Sequence, residues 1–329
     1  MNQYNNQYDE YRPTVRQFQR LIRQNANAAG ACVALITAVS AVFSILMHLF
    51  TPSLIRMMPG HLAEAFGYAM YLLVYCVSFG VPCIVMVLIL RIPLNIAFPM
   101  RAPRGDILVC AIFICLGARL IGSMFVGLVV FGIEIVSGGN ATPEMPSMPM
   151  PSGTAAYIVY YLCLAAAPAI FEEALFRGVM LQSLRRFGDN FAVWATSVMF
   201  AFIHGNLMQG PYALLLGLVI GYFVVRSGSI WVGVIVHFIN NLIALILEHI
   251  QRNASEDFFL FASVAFVIFS IIVGIIGIVY MRSRYGALFY LKRGDYPLTE
   301  FQKNFAFYSA GFVIAAAVIA LFQALDNLI

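Results

Sequence analysis

Long apolar segments recur along the whole 329-residue chain, and they constrain the fold more than any other feature. A helix needs about 20 consecutive apolar residues to cross a bilayer. Hydrophobic residues make up 62% of the chain and charged residues 10%, whereas soluble domains are roughly half apolar and about a quarter charged. The candidate spans cover residues 28–50, 65–90, 107–136, 154–176, 191–204, 211–225, 230–249, 258–281 and 305–325. We therefore predict an all-α integral membrane protein, a polytopic bundle of about eight to nine transmembrane helices.

The arginines and lysines predict the orientation of this bundle, because cytoplasmic loops of membrane proteins carry an excess of both residues. If the amino terminus is cytoplasmic, only Arg56 and Arg252 fall on the outer side, while Arg119 and Arg177 lie within spans. The other fifteen lie on the inner side: Arg12, Arg16, Arg20, Arg23, Arg91, Arg101, Arg104, Arg185, Arg186, Arg226, Arg282, Arg284, Lys292, Arg293 and Lys303. The sequence thus predicts a multi-pass protein of the cell membrane with a cytoplasmic amino terminus.

Charged side chains interrupt the fourth span in the stretch 171–177, which reads FEEALFR. A charge at membrane depth is costly unless it is paired or hydrated. Arg177 follows Glu173 by four residues, which is the favourable spacing and order for a helical ion pair. Glu172 points about 100° away from Glu173 on a helix, so we expect it to remain an unpaired carboxylate suited to general-base catalysis. The alternative is a structural Glu–Arg clamp, with Glu172 reaching water at the cytoplasmic end of the helix.

Two later spans each carry a histidine that lies four residues, or about one helical turn, from another candidate residue. His204 ends the fifth span, four residues after Phe200. His237 and Asn241 lie four residues apart in the seventh span, with Asn240 close to the same face, and such a pair is suited to donating hydrogen bonds to one oxyanion. The alternatives are an interfacial histidine and an interhelical hydrogen-bond pair.

Together these residues supply the groups needed to hydrolyse an amide with an activated water. Glu172 would act as the base, His204 would orient the water, and His237 and Asn241 would donate to the oxyanion. No G-x-S-x-G motif or other favourable setting for a serine or cysteine nucleophile is present, which argues against a covalent route. By the predicted topology, the site lies toward the cytoplasmic side.

The order EExxxR, FxxxH and HxxxN on separate membrane helices resembles the CPBP family. This family groups type II CAAX prenyl endopeptidases with bacteriocin-processing and immunity-type membrane proteases. The matching residues are Glu172, Glu173 and Arg177, then Phe200 and His204, then His237 and Asn241. The resemblance covers about residues 154–249 and implies a glutamate-dependent intramembrane endopeptidase. It implies Glu172, His204, His237 and Asn241 as catalytic residues. The other motif residues, Glu173, Arg177 and Phe200, are expected to support them, as is Asn240 from its place on the same helix face.

On this interpretation the chain divides into four parts. They are a disordered cytoplasmic tail (1–27), amino-terminal helices ending in an outer Pro/Gly/Met-rich loop (28–153), a catalytic core (154–250), and carboxy-terminal helices (251–329). The last part contains a basic cytoplasmic connector, 282–304, which either lies on an anionic leaflet or is an ordinary solvated segment. The first span is interpreted as uncleaved, and the six cysteines as small apolar residues within helices.

Three other functions are compatible with the sequence. A zinc-dependent membrane protease would use Glu172, His204 and His237 as ligands, although the chain has no HExxH motif and we expect no cofactor. A transporter or channel would use the intramembrane charges to bind its substrate. A non-catalytic immunity or scaffold protein would bind partners within the membrane.

The expected partners are the lipid bilayer and a membrane-bound protein or peptide substrate, prenylated of the CAAX type or otherwise lipidated. No nucleic acid is expected, and the sequence leaves the oligomeric state open.

Overall fold

The computed structural model describes residues 14–140, 148–288, 290–292, 294 and 298–327, and helices dominate this part of the chain. We number them α1 (Val15–Arg56), α2 (Gly60–Leu90), α3 (Gly105–Ser137), α4 (Thr154–Phe187), α5 (Asp189–Phe202), α6 (Gln209–Ser227), α7 (Ile230–Asn253), α8 (Glu256–Tyr285), α9 (Glu300–Tyr308) and α10 (Gly311–Asp326). Within the described residues, seven are long and apolar enough to cross a membrane, or eight spans result if α9 and α10 count as one. The predicted all-α polytopic membrane fold is confirmed.

Two of the predicted spans have unexpected shapes. Helix α5 has 14 residues and so extends about 21 Å, well short of the roughly 30 Å of hydrocarbon in a bilayer. Its residues Ala192, Met199 and Phe200 are buried, so one face of α5 packs inside the bundle, while Trp194 is 53% exposed. The last predicted span is the pair α9–α10, whose axes differ in direction by 68°.

Helix α1 begins at Val15, well before the start of the predicted first span. Thr14 caps it: the Thr14 hydroxyl accepts from the Gln17 N–H, and the Gln17 side chain accepts from the Thr14 N–H. Phe18 and Ile22 on its first turns are buried. The prediction of a disordered tail is therefore wrong for residues 14–27, because this polar segment has an apolar face that packs on the bundle. Residues 1–13 of the predicted tail lie outside the described residues.

The end of the outer loop is attached to α2. The Tyr68 hydroxyl donates to the Pro149 carbonyl over 2.5 Å, and the Ser152 N–H donates to the Glu64 carboxylate over 3.0 Å. Residues 141–147 of this loop lie outside the described residues. The described end of the loop therefore follows the surface of the bundle.

The basic connector after α8 packs against the start of α5. Leu291 and Leu298 are buried, and the Asp189 N–H donates to the Lys292 carbonyl over 3.0 Å. Residues 289, 293 and 295–297 lie outside the described residues. Leu291 and Leu298 are thus covered by the protein itself, and the two alternatives for the rest of the connector stay predictions.

The three helices that carry the motifs are neighbours near the centre of the bundle. Helix α4 packs between α2 and α7, while α7 also contacts α3 and α6. Helix α6 packs closely along α5, because a Cβ atom on Gly217 would lie 3.0 Å from the Ser197 Cβ. The end of α4 also contacts α5. This arrangement brings the three sequence motifs toward a common region.

Candidate active site

Helix α4 departs from regular α-helical geometry on both sides of the two glutamates. Leu162–Ala166 and Ala174–Met180 are π-helical, and such wide turns are often found at functional sites. Pro168 lies between them, at the beginning of the intervening α-helical turn, where its missing N–H removes one backbone hydrogen bond. On this irregular helix both Glu172 and Glu173 are buried inside the bundle.

Glu173 is held by two cationic or hydrogen-donating partners. Arg177 Nη1 donates to Glu173 Oε1 over 2.7 Å, so the predicted ion pair is confirmed, and both side chains are fully buried. The same oxygen lies 2.9 Å from His237 Nδ1. Because Nδ1 must carry a hydrogen to bond a carboxylate, the neutral His237 ring has no hydrogen on Nε2. Glu173 therefore fixes both the orientation and the tautomer of His237.

Glu172 is not the unpaired carboxylate that the sequence predicts. The Tyr75 hydroxyl, on α2, donates a hydrogen bond to Glu172 Oε1. The other oxygen, Oε2, faces His237 Nε2 at 3.8 Å, which is too long for a direct hydrogen bond. The expectation failed because it considered partners on α4 alone, whereas Tyr75 and His237 come from neighbouring helices.

Glu172 and His237 face each other beside the Glu173–Arg177 ion pair. Glu173 and Arg177 cancel each other, which leaves the Glu172 carboxylate opposite the His237 ring. A buried charge without a partner is strongly unfavourable. The His237 ring is therefore the partner that the structure places opposite the buried Glu172 carboxylate.

Phe200 lies between the two histidines and the arginine. Its ring meets the His204 and His237 rings edge to face, with centroids 4.9 and 5.9 Å away. The Arg177 guanidinium lies over the same ring, 4.3 Å from its centroid, which is a cation–π geometry. The FxxxH motif thus supplies both a histidine and the apolar surface against which three charged or polar groups are positioned.

His204 lies at the carboxy-terminal end of α5, in a turn that α10 supports. Its Nδ1 is 2.8 Å from the Phe200 carbonyl oxygen, so Nδ1 carries the hydrogen and Nε2 of the neutral ring has a free lone pair. Gly205 has a φ of +50° and packs so tightly on Gln323 that an added Cβ would lie 2.5 Å from its Oε1. The Asn327 side chain donates to the Gly205 carbonyl over 3.1 Å. These contacts fix the position of the imidazole.

Asn241 and Asn240 belong to a polar cluster one turn along α7 from His237. The Asn240 side-chain amide donates to Asn241 Oδ1 over 3.2 Å. Asn240 Oδ1 in turn accepts from Arg119 over 3.0 Å and from the Tyr212 hydroxyl over 2.6 Å. Asn241 Nδ2 makes no hydrogen bond to the described residues, so its two hydrogens remain available as donors.

The structure therefore groups Glu172, Glu173, Arg177, Phe200, His204 and His237, with Asn240 and Asn241 adjoining. The sequence patterns do not single out Tyr75 or Tyr212, because each is one of 16 tyrosines and its partner is distant in the chain. Among the described residues, no three His, Cys, Asp or Glu side chains are arranged so that they could hold a metal ion. Metal analysis of the purified protein would test the zinc alternative.

Comparison with known proteins identifies one family. Residues 154–243 match the family model of the type II CAAX prenyl endopeptidases, Rce1-like. This segment is a little over a quarter of the 329 residues and includes all three motifs. No curated protein and no solved structure matches the chain.

Proposed function

We propose that the chain, whose residues 154–243 match the model of the type II CAAX prenyl endopeptidases, is a membrane protease of the CPBP family. We propose further that it cleaves a membrane-associated protein or peptide with a water activated by Glu172 and His204. The family match supports a CAAX-type protease, and the apolar helices support a multi-pass membrane protein. The observation that carries the finer proposal is the buried Glu172 carboxylate, which is oriented by Tyr75 and faces His237.

Glu172 is the proposed general base. Since the Tyr75 hydroxyl occupies Oε1, Oε2 is the oxygen that accepts a proton from the attacking water. His204 Nε2 accepts the second hydrogen bond of that water, because Nδ1 is engaged by the Phe200 carbonyl. A positioned general base accelerates such a reaction by roughly 10²–10⁴-fold.

The proton balance closes without a covalent enzyme intermediate. The water oxygen attacks the carbonyl carbon, one water proton moves to Glu172, and negative charge develops on the former carbonyl oxygen. When the carbon–nitrogen bond breaks, Glu172 returns its proton to the leaving nitrogen. The carboxylate is thereby regenerated, and the second water proton leaves with the new carboxylic acid as it ionises.

His237 and Asn241 are the proposed donors to the developing oxyanion. His237 Nε2 donates when that nitrogen carries a hydrogen, and the Glu173 carboxylate at Nδ1 orients the ring. Asn241 donates through Nδ2, because Asn240 engages its Oδ1. One oxyanion donor typically contributes about 10²–10³ in kcat.

The proposed substrate is a membrane-associated chain whose scissile bond lies near the cytoplasmic face. The excess of arginine and lysine on one side of the predicted bundle supports this placement. A prenylated CAAX-type carboxy terminus and another lipidated peptide are the two substrate types that the family suggests.

Quantitative proteomics of membranes tests the proposal. Cells that carry Glu172→Gln in place of the native protein should accumulate an uncleaved membrane-associated protein and lack its released peptide. Glu248→Gln is the matched control, because Glu248 lies on the surface of α7 in an ion pair with Arg252. Identical membrane peptides in the wild type and in Glu172→Gln would contradict the proposed function.

A further inference from the structure

A second arginine at membrane depth, Arg119, has no anionic partner among the described residues. Arg119 lies about 21 Å along α3 from its first residue, Gly105, and therefore well inside this 33-residue helix. Arg177 is neutralised by Glu173, whereas no carboxylate in the described part of the chain forms an ion pair with Arg119. Intramembrane charges usually pair or take part in function, so we expect this guanidinium to bind an anionic ligand.

The hydrogen bonds of Arg119 use a single nitrogen. Nη1 donates to Asn240 Oδ1 over 3.0 Å, to the Asn240 carbonyl over 3.1 Å and to the Tyr212 hydroxyl over 3.3 Å. All of these acceptors are neutral. Nε and Nη2 make no hydrogen bond to the described residues, and the side chain is only half-buried. One edge of the guanidinium is therefore fixed while the other remains open.

The residue that anchors Arg119 adjoins the proposed oxyanion donors. Asn240, which holds Arg119, is bonded to Asn241 and lies three residues after His237 on α7, and such residues neighbour each other on a helix. An anion bound to Arg119 would thus lie next to a peptide whose carbonyl oxygen faces His237 and Asn241. Arginine binds carboxylates through two parallel N–H···O bonds, which the free Nε and Nη2 hydrogens permit.

We propose that Arg119 binds a carboxylate of the substrate close to the scissile bond. This inference rests on the proposed function, because it assigns one part of the substrate to a group beside the same site. The carboxylate belongs either to the substrate's carboxy terminus or to an acidic side chain, and both have the same chemistry. In either case the enzyme selects substrates by a charge near the cleaved bond as well as by membrane attachment.

The experiment compares three fluorescent peptides that carry an S-farnesylated cysteine followed by three aliphatic residues. The first ends in a free acid, the second in an amide, and the third in an amide with one aliphatic residue replaced by aspartate. Fluorescence anisotropy gives their dissociation constants for the full chain in lipid nanodiscs, in a Glu172→Gln background that prevents cleavage. We expect one of the two carboxylate peptides to bind about 10- to 100-fold more tightly than the plain amide.

Arg119→Gln in the same background should abolish that preference, while Arg119→Lys should retain part of it because the charge remains. Arg104→Gln is the matched control: Arg104 adjoins the start of α3, is 61% exposed and pairs with Asp106. If Arg119→Gln does not fold, Arg119→Lys must weaken carboxylate binding without weakening amide binding.

Preference for the free acid assigns the site to the substrate terminus, and preference for the aspartate peptide assigns it to a side chain. Equal binding of all three peptides, no binding of any, or an unchanged preference in a folded Arg119→Gln would overturn the proposal. Cleavage of the same peptides is measured with Glu172 intact. A carboxylate preference without cleavage of any membrane peptide would count against the proposed function and leave the Arg119 site standing.

Discussion

Replacing Tyr75 with phenylalanine removes a single hydroxyl group from the candidate site. That hydroxyl donates to Glu172 Oε1. The ring stacks on Phe79 with centroids 4.6 Å apart, and phenylalanine keeps this contact. The change therefore leaves the packing of α2 intact but frees the carboxylate to rotate.

The expected loss of activity follows from the strength of this one bond. A hydrogen bond to a charged group contributes about 1.5–3 kcal/mol. Each 1.36 kcal/mol corresponds to a tenfold change in rate, so we expect kcat/KM to fall roughly 10- to 100-fold. The free energy of unfolding should change much less, because Glu172 still faces His237 and the Tyr75 ring is conserved.

The assay is the cleavage rate of a membrane peptide by the reconstituted full chain, together with thermal unfolding of the same preparation. Tyr71→Phe is the matched control, because Tyr71 lies one turn earlier on α2, is 42% exposed, and its hydroxyl makes no hydrogen bond to the described residues. Its kcat/KM should stay within about twofold of the wild type.

An unchanged kcat/KM in a stable Tyr75→Phe protein would refute the assignment of Tyr75 as the group that orients the catalytic carboxylate. Equal losses in Tyr75→Phe and Tyr71→Phe would also refute it, since Tyr71 makes no such bond. A loss confined to Tyr75→Phe, with the unfolding temperature preserved, is the expected result.

Gly233→Ala would place a methyl group 2.5 Å from Glu173 Oε2, and we expect it to destabilise the protein by about 1–3 kcal/mol in detergent unfolding. Gly127→Ala, where an added Cβ meets nothing within 4 Å, should show no such loss. Asn241→Ala should lower kcat about 10²–10³-fold with KM nearly unchanged, as steady-state kinetics would reveal, and a change in KM alone would contradict an oxyanion role. Chelators should leave cleavage unaffected, whereas stoichiometric zinc that is lost together with activity would replace the proposed mechanism.

Interactions between residues near in sequence could be predicted, and those between helices could not. Hydropathy predicts the positions of the membrane helices because a span must be apolar over its whole length. The four-residue spacing of Glu173 and Arg177 predicts their ion pair because both lie on one helix. The bonds of Tyr75 to Glu172 and of Arg119 to Asn240 join residues 97 and 121 positions apart, and no local pattern encodes them.

The start of α1 shows a different limit of sequence patterns. A segment rich in Asn, Gln and Arg is typical of a solvated tail, but Phe18 and Ile22 are spaced to share one helix face and are buried. Likewise, the residue types of α4 do not distinguish π from α turns, because the difference depends on which backbone groups pair in the packed bundle.

The short length of α5 has a consequence for the surrounding lipid. Its 14 residues reach about 9 Å less than the average hydrocarbon thickness, whereas α8 has 30 residues. A bilayer adapts to such a mismatch by thinning locally, at a cost of a fraction of a kcal/mol per Å. Thinning near Trp194, which is 53% exposed on α5, would bring bulk solvent and lipid headgroups nearer to His204 at the end of the same helix. The thickness of the host membrane would then control how easily water and an extended peptide reach the candidate active site.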